Sequence, residues 1–257
     1  MKDVQNQLDR RQIYLNQVGI KDFRMPMEIC NKNGEWLSTA ADISLLVGLD
    51  ASLRGTHMSR FVDIIQENRR MDLKHMRNIL ESIQQRLESR SSFVRMKFDY
   101  FIEKESPVTR LASFINVQVE YSASLEGNDF EFDMKVITPV TTLCPCSKEI
   151  SEYSAHNQRA NVSIQIRRKK FMWIEDLVEI AEQSASSPVY SLLKRPDEKY
   201  VTEHAYDNPR FVEDVCREAK LRVDRMRDVK EYCIEVESLE SIHNHSAYAM
   251  VTGGEEI

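Results

Sequence analysis

Glycine and proline are scarce here, seven of each in 257 residues, which leaves little room for a disordered tail or a long flexible linker. No apolar run approaches the ~20 residues that span a bilayer, and the opening MKDVQNQLDRRQ lacks the apolar stretch of a signal peptide. Both absences lead to a cytoplasmic expectation, with the five cysteines kept reduced. The formal net charge of −6, from 35 basic and 41 acidic residues, argues against a broad nucleic-acid face. An anionic small ligand would need local basic residues instead. What is present is a chain 42% apolar and 30% charged, the balance of a soluble globular protein, and it is long enough for one large domain or two similar halves.

The densest chemistry lies between Thr142 and Arg159. Cys144 and Cys146 flank Pro145, and His156 follows in the same short stretch, so two thiols and an imidazole are available to a transition metal. Pro145 biases Cys144 toward an extended backbone, which sends the two thiols in different directions. One would then ligate and the other serve chemistry. Buried cysteines that merely pack and a structural zinc site are the competing readings. The latter needs a closed ligand set, and no further C-x-C or C-x-x-C completes one.

Along the chain, residues 1–22 carry few apolar anchors and read as an extended arm or loose helix. Apolar alternation from Phe23 predicts a strand, Asn33-Gly34 a turn, and Trp36 to Val47 a second strand. Arg54, His57, Ser59 and Arg60 cluster at a predicted helix start, either an anion site or an ordinary capped terminus. Leu73, Met76, Leu80, Ile83 and Leu87 form one apolar helical stripe, which is core, with His75 at the surface beside it. Strands follow around Val94–Ile102 and Leu111–Tyr121, then a turn at Glu126-Gly127-Asn128-Asp129. The first half thus reads β-β-α-α-β-β. The second repeats that order: strands at Phe130–Val136 and Val162–Ile166, helices near Trp173–Ser184 and Pro209–Arg227, and strands at Tyr232–Val236 and Ala247–Val251. No residue-level repeat links the halves, and the fold class is α+β.

Two further polar clusters stand out. Lys194–Asp214 is a long, charge-dense connection, either functional or solvated surface. Glu240-Ser241-Ile242-His243-Asn244-His245 stands at the start of the last strand, where His243 and His245 would share a face with Asn244 on the other. A carboxylate with imidazoles suits proton transfer or metal ligation. Together with Cys144 and His156 it suggests the open site of a metal hydrolase.

Cys144-Pro145-Cys146-Ser147-Lys148-Glu149-Ile150-Ser151 with Ala155-His156-Asn157-Gln158-Arg159 resembles the signature of type IB GTP cyclohydrolase. Gly55–Phe61, Lys194–Asp214 and Glu240–His245 look like further blocks of that family in the same order. The resemblance implies a tunnelling fold (T-fold): an arm at 1–22 and two tandem β-β-α-α-β-β units at 23–126 and 127–257, with antiparallel sheets and helices on one face. It also implies a homotetramer with interfacial active sites. The implied reaction turns GTP and water into 7,8-dihydroneopterin 3'-triphosphate and formate, the first step toward tetrahydrofolate. A divalent metal, zinc, iron or manganese, would be held by Cys144, His156 and Glu198. Cys144, Cys146, Glu240 and His243 are the implied catalytic set. Glu213 would anchor guanine through paired hydrogen bonds, with Glu203 as the alternative. Lys148, Arg159, Arg54, His57, Arg60, Lys194 and Arg195 are candidate triphosphate contacts by charge alone. The competing functions are an archaeal-type cyclohydrolase giving a cyclic phosphate, a deazaguanine nitrile reductase of the same fold, and a non-catalytic purine- or metal-binding module.

Overall fold

The structure, a computed structural model, describes Gln5, residues 7–168 and residues 172–254. Among them lie ten strands and six helices, a mixed α+β architecture. The chain divides into two compact units, Met1–Asp99 with Glu120–Met134 and Tyr100–Val119 with Lys135–Ile257. No helix among the described residues is long and apolar enough to cross a membrane.

In the first unit, β1 spans Leu15–Cys30 and pairs antiparallel with β2, Trp36–Leu49. The turn between them forms as predicted: Gly34 takes φ +82°, open to glycine, and the Asn31 side-chain oxygen accepts the N–H groups of Asn33 and Glu35. β1 begins at Leu15, not at Phe23. Its first residues are exposed, so alternation is absent there while the backbone still pairs, Leu15 with Leu49. The described part of the arm is extended, not helical: the Asp9 N–H donates to the Ser52 carbonyl, and that of Arg54 to the carbonyl of Gln7. Residues 1–4 and 6 of that arm lie outside the described residues.

α1 (Met58–Glu67) and α2 (Leu73–Leu87) follow the expected apolar stripes. Phe61, Ile64, Ile65, Met76, Leu80 and Ile83 are fully buried, each contributing at most about 1.5–3 kcal/mol of transfer free energy. A two-residue strand, β3 (Arg70–Met71), lies parallel to β1, and the order β3-β1-β2 continues into β4, Ser91–Glu105. Three long strands, β4, β5 (Ala112–Glu126) and β6 (Asp129–Leu143), have ends in both units.

In the second unit, β6 leads into a six-residue helix, α3 (Pro145–Ile150), and then β7, Asn157–Arg168. α4 (Ile174–Ser184), β8 (Ser187–Pro188), α5 (Arg195–Asp207) and α6 (Val212–Val223) precede β9 (Val229–Leu239) and β10 (Ser246–Gly254). The strand order is β10-β9-β7-β6, with the short β8 also on β6. α3 and α5 add to the pattern expected for this half. Lys194–Asp214, read as a long connection, is mostly α5. That helix buries only Asp197 and Ala205, so it has no apolar stripe to read. Its start is set by Pro196 in the first turn and by the Lys194 N–H donating to the Asp197 carboxylate over 2.9 Å.

Candidate active site

The Cys-Pro-Cys stretch is ordered by its own hydrogen bonds. Cys144 caps α3 with an extended backbone, φ −68° and ψ 117°, as the following proline requires. Its sulfur accepts the Ser147 N–H at 3.4 Å, and its own N–H donates to the His156 carbonyl at 3.1 Å. Ser147 closes the loop: its hydroxyl accepts the His156 N–H at 3.2 Å and donates to the Cys144 carbonyl at 3.3 Å. These bonds tie His156 back beside Cys144. Cys146, in the first turn of α3, is exposed, whereas Cys144 is half-buried.

Strand alternation then sorts the neighbours. Thr142 and Cys144 line a cavity of about 310 Å³, whereas Thr141 and Leu143 line another of about 590 Å³. Into the first cavity come His156 and Gln158 around the start of β7, Glu240 just after β9, and His243 and His245. His156 and Glu240 are only 14% and 12% exposed, so the carboxylate and imidazole meet largely out of water. A Glu240 oxygen lies 4.0 Å from Nδ1 of His156 and 3.8 Å from Nδ1 of His243. The carboxylate thus stands between two imidazoles. The expectation that His243 and His245 belong to the last strand is corrected: β10 starts at Ser246, and both rings sit in the β9–β10 connection, 5.2 Å apart. Too few ladder partners remain there for alternation to decide their facing.

Glu213 reaches the same cavity because the Arg210 N–H donates to the Leu143 carbonyl over 3.0 Å, docking the α5–α6 connection beside the end of β6. Cys144, Cys146, His156, Glu240, His243 and Glu213 are therefore brought together. Others are not. Glu198 is exposed in the first turn of α5, and Glu203 lines the larger cavity instead. The Lys148 ammonium donates to the Tyr206 carbonyl at 2.5 Å and rests 4.2 Å from its ring centre. Arg159 is exposed and next to Gln158 on β7, so alternation turns it away from the cavity. His57 and Arg60 stand in the first unit at the start of α1, where Arg60 donates to the Arg86 carbonyl at 2.7 Å.

Gln158, Thr142, Ser238 and Arg210 also line the cavity without having been given a role from sequence. The first two could have been found by stepping two residues along a strand from His156 and Cys144. Ser238, two residues before Glu240 at the end of β9, is found by the same step, whereas nothing local marks Arg210, which tertiary packing alone delivers. A thiol, imidazoles and a carboxylate match the donor preferences of zinc, iron or manganese. Among the described residues, however, no three Cys, His, Asp or Glu side chains converge on one ion-sized point.

The fold and this cavity define a class: an α+β protein whose second unit concentrates thiol, imidazole and carboxylate groups. Its fold is shared with uricase from Arthrobacter globiformis, at a TM-score of 0.56 and 7% identity over 94% of both chains, and with urate oxidase from Bacillus sp. TB-90, at 0.55 and 10% over 94% of this chain and 100% of that one. A family model described as type I GTP cyclohydrolase folE2 matches residues 1–249, and the chain belongs to that family. It is similar to GTP cyclohydrolase FolE2 of Pseudothermotoga lettingae, 49% identical over 100% of both chains. It is also similar to that of Caldicellulosiruptor bescii, 51% identical over 98% of both.

Proposed function

We propose that this chain is a metal-dependent GTP cyclohydrolase of type IB, converting GTP and water to 7,8-dihydroneopterin 3'-triphosphate and formate at the start of tetrahydrofolate biosynthesis. The observation that carries the reading is the single cavity holding Cys144, Cys146, His156, Glu240, His243 and Glu213 in a member of this family. Cys144 and His156 would hold a zinc, iron or manganese ion, and Glu198 is the third ligand this reading names. When bound, the ion supplies Lewis acidity that makes water a competent nucleophile near neutral pH.

The remaining work belongs to the protein. Glu213 accepts hydrogen bonds from N1–H and the 2-amino group of guanine, orienting C8 toward the thiol and imidazoles. Opening the imidazole ring and releasing C8 as formate require repeated proton transfers. Glu240, between His156 and His243, can hold a proton and pass it to either side. The exposed thiol of Cys146 is a further donor to the departing fragments. Arg210 is the one lysine or arginine among the described residues lining this cavity, so it stands nearest the incoming anion. Lys148, Arg159, His57 and Arg60 stay in this reading as triphosphate contacts by charge alone, and none of the four lines this cavity.

The same reading takes the fold as a T-fold of two tandem units, the protein as cytoplasmic and the assembly as a homotetramer. Phe101 and Phe114, 51% and 61% exposed, supply apolar surface that such an assembly would cover. The test is formate release and neopterin fluorescence, after oxidation and dephosphorylation, from metal-stripped protein given GTP with each ion restored in turn. Both products, appearing only with metal, are expected. Product phosphate analysis separates the triphosphate from a cyclic phosphate. Absence of formate with every ion overturns the reading in favour of the reductase or binding module.

A further inference from the structure

The geometry points to Gln158 as a positioning residue that fixes the tautomer of His156 and couples it to Glu240. The amide is engaged at both ends. Its nitrogen lies 3.3 Å from a Glu240 oxygen and 3.3 Å from the Thr142 hydroxyl. Its oxygen lies 2.8 Å from Nδ1 of His156 and 3.3 Å from the Ser241 hydroxyl. Thr142 is buried and held in turn by the Ser238 hydroxyl at 3.3 Å, so the far side of the amide has a rigid seat.

The orientation of that amide follows from one neighbour. An ionised carboxylate can only accept hydrogen bonds, so the NH₂ end of Gln158 must face Glu240. Turning the amide over would set its oxygen against the carboxylate and lose the bond to it. With the NH₂ end committed, the carbonyl end faces His156, and a carbonyl can only accept. The ring nitrogen it meets must therefore carry the proton. In the neutral imidazole, protonation at Nδ1 leaves the lone pair on Nε2. A single acceptor-only group, Glu240, thus determines through one amide which nitrogen of His156 is free to bind an electrophile. The Ser241 hydroxyl, donating to the same oxygen, reinforces the arrangement.

Ligating histidines depend on such outer partners for ring orientation and basicity, and loss of one typically costs about 10–100-fold in metal affinity. The ion-binding consequence rests on the function proposed above. The tautomer does not, since it is a property of the metal-free protein.

The test uses full-length protein labelled with ¹⁵N in histidine, stripped of metal, with tautomers read from long-range ¹H–¹⁵N correlations and the His156 signal assigned by its loss in His156→Gln. Wild type is expected to hold His156 with the proton on Nδ1. Gln158→Leu should give a mixture of tautomers and bind zinc about 10–100-fold more weakly in a chelator competition. Glu240→Gln should also unlock the tautomer while leaving Gln158 in place, because a neutral amide at 240 tolerates either orientation. That second variant keeps the proposal testable if Gln158→Leu fails to fold. A wild-type His156 protonated on Nε2, or a tautomer unchanged in both variants, overturns the proposal. So does a tautomer released by Gln158→Leu without any change in zinc affinity. Failure of wild type to bind any ion would instead overturn the proposed function, with the tautomer still decided by the spectra.

Discussion

The Thr109 hydroxyl donates to the buried Asp197 carboxylate over 2.6 Å, and the same carboxylate accepts the N–H groups of Val108 and Thr109 at 2.8 Å and of Lys194 at 2.9 Å. One side chain thereby joins the β4–β5 turn to the first turn of α5. Burial pushes this carboxyl up, but the hydrogen bonds from Thr109, Lys194 and Val108 outweigh it and hold the group well below the usual carboxylate range. Asp197→Ala strands these donors without an acceptor. It should lower the thermal midpoint by several degrees and speed amide exchange at Val108, Thr109 and Lys194. Asp197→Asn should fall in the same direction, since its NH₂ end meets donors. Exchange unchanged at all three amides would remove Asp197 as the clasp.

Lys104 and Glu182 form an ion pair whose side chains are 15% and 16% exposed, with Lys104 also donating to the Val189 carbonyl and lying 4.2 Å from the centre of the Tyr190 ring. Burial lowers the lysine pKa and raises that of the glutamate, and each partner only partly reverses the other's shift. Desolvation is therefore not fully offset. Either Lys104→Met or Glu182→Leu alone should cost roughly 3 kcal/mol by leaving a buried charge unpaired, while the double variant should match or exceed wild type. Urea unfolding of the four proteins decides it. A double variant less stable than both singles would contradict the argument.

Asp72 caps α2, accepting the His75 N–H at 2.8 Å and facing the His75 ring nitrogen at 2.7 Å. Burial raises its pKa, yet the bonds to His75 win and the folded value lies below the ordinary 3.8. A carboxyl lowered on folding adds stability above its ordinary pKa and loses it as pH falls through the folded value. Stability should therefore drop on acidification below about pH 4, and Asp72→Asn, still a competent cap, should flatten that part of the curve. At neutral pH, Asp72→Ala should cost about 1 kcal/mol. Identical acid limbs in wild type and Asp72→Asn would exclude this group as a source.

Legibility followed burial. The α2 stripe was readable because Met76, Leu80 and Ile83 all face one core. The first residues of β1 were not, because they pair through backbone while their side chains stay exposed. α5 was missed for a related reason: a buried aspartate and a proline hold its start, and neither produces periodicity. In the site, the Cys144–His156 stretch was visible as residue chemistry, and so was the Glu240–His243 cluster. Their convergence with Glu213 was not, since it depends on the backbone bond from Arg210 to Leu143 between segments far apart in sequence.

That convergence separates two carboxylates that the sequence alone left as rivals. Glu213 lines the cavity with Cys144 and His156, whereas Glu203, on α5, lines the neighbouring cavity and lies 3.8 Å from the Lys199 ammonium. A guanine held by Glu213 has its imidazole ring near the thiols and imidazoles. Held by Glu203, it would lie in the other cavity, on the far face of β6. Glu213→Ala should therefore abolish detectable GTP binding while leaving bound metal at the wild-type level, because the anchoring bonds are charge-assisted and made to two donors at once. Glu203→Ala should change GTP affinity by no more than about threefold, the range of a surface substitution. Calorimetric titration of both variants with GTP, alongside metal analysis, decides between them. Unchanged affinity in Glu213→Ala with loss in Glu203→Ala would move the guanine to the larger cavity and sever the proposed link between base recognition and the Cys144–His156 pair.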